Sequence, residues 1–205
     1  MRLLGRKVFF GGYVFRVFDD VYEPAEDSFF FAENLKVEEG DVVVDVGTGC
    51  GILGVVAAER ASLVVGVDVN PFAVRCARFN AELNGFSDRM LFLQSDLFAG
   101  IRAEEKFDLV LFNAPYLPSE DVVDGSWLDV AWEGGVGGRG VIDRFIDEVC
   151  GRLRLGGCVF LLQSSLCDVG ETLRRFGACG LVGRVVAECD LPFFETLVLV
   201  RAEFK

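Results

Sequence analysis

Apolar positions along this chain fall into short Val- and Leu-rich runs, separated by stretches with helical spacing. Val8 to Phe15 is one such run, broken by Gly11-Gly12, which predicts a hairpin. A helix is predicted over 25–35, opening after Pro24. From residue 41 a rhythm sets in. Strand 41–46 leads through a glycine-rich turn into a helix over 51–60, and strand 63–68 leads into a helix over 71–84. Pro71 suits the first turn of that second helix because its fixed φ is already helical. Strands follow at 90–94 and 107–112, then a glycine-rich loop over 117–138. A helix over 139–154, a strand over 157–163, a helix over 168–177 and strands over 181–187 and 196–203 complete the pattern. Apolar strands alternating with helices predict an α/β fold, with a mostly parallel sheet covered on both faces. The expected organisation is a single domain over 1–205, with an extension at 1–37 and a core at 38–205.

Composition narrows the chemistry. The chain is 52% hydrophobic and 25% charged, enough for a large core in 205 residues. Its 20 basic and 32 acidic residues give a net charge of -12, which disfavours nucleic-acid binding by the chain alone. There is no His, so Ser-His-Asp, Cys-His and histidine-ligated zinc chemistries are excluded, and no metal is expected. The seven Cys form no Cys-x-x-Cys pair and sit mostly among apolar residues, as small buried side chains in a reducing compartment do. Arg2, Arg6 and Lys7 precede an apolar stretch, but Gly11, Gly12 and Arg16 interrupt it, so no signal peptide is expected. No run reaches the ~18 apolar residues of a membrane span. A cytoplasmic location is expected.

The turn after the first rhythmic strand is Asp45-Val46-Gly47-Thr48-Gly49-Cys50-Gly51. Glycines there let the backbone approach a ligand closely, although a tight turn alone would also favour small residues. The Gly-x-Gly-x-Gly spacing differs from the dinucleotide Gly-x-Gly-x-x-Gly, and Asp45 beside it suits an amino-bearing ligand better than a diphosphate. The second strand ends at Asp68, about twenty residues on, where a carboxylate can accept both ribose hydroxyls of a nucleoside. Asn70 is placed to cap the following helix, leaving Asp68 available. The third strand ends in Asp96-Leu97, an acceptor for an exocyclic amine and an apolar contact for a ring. Acids at three neighbouring strand ends lie where open α/β sheets bind ligands.

This combination resembles the class I S-adenosylmethionine-dependent methyltransferases, from about residue 20 onward. The resemblance implies a Rossmann-like, mostly parallel seven-stranded sheet. S-adenosylmethionine would be held by Asp45, Gly47, Thr48, Gly49, Gly51, Asp68, Asn70, Asp96 and Leu97, and left as S-adenosylhomocysteine. The fourth strand then runs into Asn113-Ala114-Pro115-Tyr116, similar to the Asn-Pro-Pro-Tyr signature of enzymes that methylate planar NH2 groups. An amide nitrogen is a poor nucleophile because its lone pair is delocalised. The Asn113 side-chain oxygen and the Ala114 carbonyl would hold its two hydrogens and stabilise developing positive charge, while Tyr116 packs on the flat group. Asn113 would also border the cofactor. Ala114 departs from the family's proline, which keeps the carbonyl and loses rigidity.

Two further stretches, Val21-Tyr22-Glu23-Pro24-Ala25-Glu26-Asp27-Ser28 and Trp132 to Phe145, look like the archaeal and eukaryal branch of the HemK-type glutamine methyltransferases. That resemblance implies methylation of the glutamine of a Gly-Gly-Gln tripeptide in a class I peptide-chain release factor. Tyr22, Glu26 and Ser28 would lie in a segment covering the cofactor. It further implies a heterodimer with a small zinc-binding activator, which adds strands beside residues 89–94. That strand is apolar, carries little charge and is expected at a sheet edge, and the chain holds 20 Phe. A nucleic-acid amino-methyltransferase such as an N6-adenine enzyme, or a non-catalytic cofactor-binding scaffold, are the alternative functions. A larger core or a homodimer would equally use the apolar surplus.

Overall fold

The structure, a computed structural model, describes residues 5–117 and 126–205. Strand order in the main sheet is β5-β4-β3-β6-β7-β9-β8, seven strands, with β1 and β2 in a separate hairpin. The chain divides into two compact units, residues 1–102 and 103–205.

The first unit holds β1 (Arg6–Phe10), β2 (Tyr13–Val17), α1 (Glu26–Asn34), β3 (Val42–Val46), α2 (Ile52–Ala57), β4 (Leu63–Asp68), α3 (Pro71–Leu83) and β5 (Met90–Gln94). β3 pairs in parallel with β4, and β4 with β5. The hairpin turns on Gly11 and Gly12, both at positive φ, as a two-residue connection between twisted strands requires. Its outer strand is not left bare. Asn80 in α3 and Asn84 at its C-cap use their side-chain amides as substitute peptide groups. Asn80 Oδ1 accepts from Arg16 N at 2.8 Å and its Nδ2 donates to Arg16 O at 2.9 Å. Asn84 does the same to Val14, at 3.1 and 2.9 Å. The hairpin therefore docks on its own unit. α3 opens on Asn70, whose side chain accepts from Phe72 N, with Pro71 in its first turn. It buries the small stripe Ala73, Cys76, Ala77, Asn80 and Ala81.

The second unit holds β6 (Phe107–Asn113), α4 (Trp127–Trp132), α5 (Gly140–Val149), β7 (Leu153–Ser164), α6 (Val169–Ala178), β8 (Leu181–Asp190) and β9 (Thr196–Phe204). β6 and β7 are parallel, and β9 runs antiparallel between β7 and β8. α5 buries Ile142, Phe145, Ile146 and Val149 at helical spacing, and Phe145 lies 4.4 Å from the Phe112 ring.

Two expectations need correction. The predicted loop over 117–138 contains α4 and a single 3-10 turn at Val136–Gly138, while its 118–125 part lies outside the described residues. α4 buries no residue, and its Leu128, Val130 and Trp132 are exposed. A reciprocal capping box between Ser126 and Asp129 holds it instead. The helix predicted over 139–154 stops at Val149 because β7 starts at Leu153, four residues before the predicted strand. All seven cysteines are free, and Cys50, Cys76 and Cys167 are buried. No helix among the described residues is long and apolar enough to cross a membrane.

Candidate active site

In the first unit the turn after β3 is held from beneath. Gly47, Gly49 and Gly51 all have positive φ, at 66°, 55° and 86°, so each needs the freedom only glycine has. They differ in their surroundings. A Cβ on Gly51 would sit 3.0 Å from the Ala77 Cβ, so this glycine lets α3 come close. A Cβ on Gly49 would meet nothing nearer than 3.9 Å, which leaves open space in front of the turn.

Asp45 is buried below the turn. Its Oδ2 accepts from Thr48 Oγ1 at 2.7 Å and from Gly54 N at 3.1 Å. Its Oδ1 is buried with no hydrogen-bond partner among the described residues. Burial raises the Asp45 carboxyl to about 7, against the lowering effect of those two donors. A buried acceptor lacking a donor fits an ammonium-bearing ligand, which would favour the charged form. Asp68 closes the other side. Its Oδ2 accepts from Gly49 N and its Oδ1 from Asn70 N, each at 2.9 Å. A carboxylate offers about four lone-pair sites, so Asp68 keeps acceptor capacity beyond these two bonds. Burial raises its pKa also.

The structure brings the exit of β5 to the same place, because Ser95 N donates to Asp68 O at 2.9 Å. Asp96 there is exposed, and Leu97 is buried with a positive φ of 44°, uncommon for a side chain of its size. Asn70 spends its oxygen on the α3 cap, and its Nδ2 donates to Asp20 O at 2.7 Å, tying the segment before α1 to the end of β4. In that segment Tyr22 Oη donates to Asp27 Oδ1 at 2.8 Å, and the same oxygen accepts from Ser28 N and Ser28 Oγ. Glu26 is exposed at the start of α1. Asp27, buried and serving both Tyr22 and Ser28, is absent from the expected set of site residues. An acid of this kind at a helix start reads from sequence as an ordinary first-turn charge.

In the second unit β6 ends at Asn113, half-buried, and the ladder continues one residue as Ala114 N donates to Leu162 O at 3.3 Å. Ala114 and Tyr116 are buried. The Tyr116 carbonyl accepts from Cys167 Sγ at 3.0 Å. Gly138, at φ +70°, lies so close that a Cβ there would stand 2.4 Å from Tyr116 O and 2.6 Å from Cys167 Sγ. Leu117 N donates to Trp132 O, and Gly134 N to Leu117 O, fixing the next residue against the end of α4. Gly134 in turn accepts from Gly140 N at 2.7 Å. The glycines of 134–140 are thus a folded knot around the strand exit, not a loose surface loop. Arg139 holds the far side, donating to Cys167 O, Asp168 O, Thr172 Oγ1 and Asp143 Oδ1. Nothing in the local sequence around Arg139 marks it for this role.

Comparison with known proteins agrees with this architecture. The family model described as ribosomal protein L11 methyltransferase (PrmA) matches residues 27–159. A chain of Methanocaldococcus jannaschii named as a protein N5-glutamine methyltransferase is 40% identical over 190 residues, 92% of this chain and 94% of its own. The chain belongs to the HemK-type glutamine methyltransferase family. Human methyltransferase HEMK2, in the same family, is 33% identical over 85% of this chain and 86% of its own. Among solved structures, the E. cuniculi Mtq2–Trm112 complex, responsible for methylation of the eRF1 translation termination factor, is similar at TM-score 0.71 and 28% identity. It covers 91% of this chain and 99% of that one. Members of the family are S-adenosylmethionine-dependent enzymes, and the glycine turn with its buried, under-donated Asp45 fits that cofactor.

Proposed function

We propose that this chain transfers a methyl group from S-adenosylmethionine to the side-chain amide nitrogen of a protein glutamine, in the Gly-Gly-Gln tripeptide of a class I release factor. The observation that carries the reading is the strand exit from Asn113 to Tyr116. Its main chain is locked by Cys167, Gly138 and Trp132, so two acceptors are presented on a rigid frame. Near-full-length similarity to a chain named as a protein N5-glutamine methyltransferase supports the choice of amide over nucleobase. The cofactor supplies an electrophilic methyl on a sulfonium. The chain's own work is positioning: the Asn113 side-chain oxygen and the Ala114 carbonyl accept the two amide hydrogens, and Tyr116 packs on the planar group. Main-chain locking at Tyr116 offsets the rigidity that Ala114 gives up relative to proline. Asp45, Gly47, Thr48, Gly49 and Gly51 hold the methionine end, Asp68 the ribose, and Asp96 and Leu97 the adenine. Asn70 steadies the ribose site, and Tyr22, Glu26 and Ser28 cover it. On this reading 38–205 is one catalytic core with 1–37 as its cofactor-covering extension, working in the cytoplasm, where translation terminates.

The same reading gives β5 a partner. Among the described residues β5 pairs with β4 alone, with no charged residue from Met90 to Gln94 and Leu91 59% exposed. An apolar edge of that kind invites strand addition, and a small zinc-binding activator of the type implied by the resemblance is the expected occupant.

The test is transfer of labelled methyl to a purified release factor, its Gly-Gly-Ala variant and adenine-containing DNA, with and without the activator. Label on the factor that vanishes with Gly-Gly-Ala supports glutamine methylation. Label on DNA alone makes the substrate a nucleobase. No label, with cofactor bound, makes the chain a scaffold.

A further inference from the structure

The connection from β8 to β9 holds a contradiction. Phe194 is fully exposed and also sits at φ +66°, a conformation that costs a bulky residue and that its neighbours impose. Leu191 N donates to Glu195 O at 2.7 Å, closing the turn, and Thr196 N donates to Ser165 Oγ at 3.1 Å, fastening it to the segment after β7. A strained aromatic held out in water stabilises nothing within the chain. Beside it, Glu195 Oε1 is buried with no hydrogen-bond partner among the described residues.

Register shows where this turn stands. Asn113 pairs with Leu162, Ser164 with Leu197, and Asp190 with Thr196. The exits of β6, β7 and β8 therefore lie at one end of the second unit. The chain of contacts is continuous: the Tyr116 carbonyl takes the Cys167 thiol, the 3-10 turn Ser165–Cys167 exposes Leu166 by 61%, and Ser165 anchors the 191–195 turn. Burial raises the Cys167 thiol, with Arg139 lowering it and the Glu195 carboxylate raising it, so Glu195 lies within electrostatic range of the residue that grips Tyr116.

Resting on the proposed function, we infer that Leu166, Phe194 and Glu195 form a recognition rim for the polypeptide on either side of the target glutamine. Phe194 and Leu166 take apolar side chains of that segment, and Glu195 accepts one of its backbone N–H groups. Asn113 and Ala114 read the amide, which every glutamine offers. A rim contiguous with them separates one protein glutamine from another, and an extended segment supplies both apolar contact and free N–H groups.

The test uses the enzyme with its activator, the intact release factor as substrate, and the variants Phe194→Ala, Phe194→Gly and Glu195→Gln. Each is expected to raise KM for the factor about tenfold, with kcat near wild type and S-adenosylmethionine affinity unchanged. Phe194→Gly adds a readout that a structural role would not produce. It relieves the positive φ, so thermal stability rises or holds while KM worsens, and Phe194→Leu recovers most of the KM. Unchanged KM in all variants, with normal wild-type labelling of the glutamine, overturns the inference alone. Wild-type labelling of adenine instead of glutamine overturns the proposed function and this inference with it.

Discussion

The turn after β3 and the segment after β6 both leave the carboxyl end of a parallel strand, and they are held in opposite ways. The first is held from within. Its three glycines supply the backbone angles, Asp45 lies beneath, and Asp68, nineteen residues on, ties Gly49. The second carries no glycine of its own. Its shape comes from distant parts of the chain: Cys167, 51 residues away, grips Tyr116, and Gly138 leaves the room for it. The glycine turn is shaped within one compact stretch of chain, from Asp45 to Asp68. The segment after β6 is shaped by several elements, and substitution in any of them changes its shape.

That contrast sets the order of expected effects. Asn113→Ala should lower kcat on the order of 10²–10³-fold, far more than it weakens cofactor binding, as loss of one transition-state contact does; single-turnover transfer measures it. If cofactor affinity falls equally, Asn113 serves both sites and the contrast fails. Gly138→Ala should destabilise the protein by about 3 kcal/mol, because the new Cβ meets a backbone oxygen in a strained conformation. Denaturant unfolding reads this, and cofactor affinity should survive wherever the variant is folded. Asp68→Ala should weaken cofactor binding by about 10–100-fold, the scale of charged hydrogen bonds lost to ligand and loop together; calorimetry measures it, and an unchanged affinity removes the ribose assignment. Gly49→Ala should cost only about 1–2 kcal/mol of stability, since its Cβ enters open space, yet it should still impair binding.

The smallest signal is a pH effect. The Asp45 carboxyl is raised from 3.8 to about 7, so the folded apo form holds its proton more tightly than the unfolded chain does. The stability this provides is present below about pH 4 and is lost as pH rises through about 7. Asp45→Asn should therefore flatten the fall of apo thermal stability between about pH 4 and 7. Cofactor binding at neutral pH should release a proton in the wild type and not in the variant, as calorimetry in buffers of different ionisation heat would record.

Much of the fold was readable because it rests on neighbours in sequence. β4 and β5 match their predicted bounds, and Asn70-Pro71 opens α3 as a cap and a preset φ dictate. α4 escaped notice because its stability comes from Ser126 and Asp129 and not from an apolar face. Asp27 and Arg139 escaped because a charged residue in a helix start looks alike whether it faces water or gathers several partners.

The sequence by itself determined the alternation of strands and helices, the glycine turn with its acids, and the Asn113-Ala114-Pro115-Tyr116 tetrapeptide at a strand end. Hydrophobic period, backbone freedom and side-chain chemistry are properties of adjacent residues. Only the tertiary structure decided that Asn80 and Asn84 complete the hairpin edge across 64 and 70 residues, and that Gly138 and Cys167 lock Tyr116. It also decided that Phe194 stands strained in water beside a buried, unpaired Glu195 oxygen. These depend on which atoms meet once loops have closed, and a pattern of neighbouring residues carries no record of such meetings.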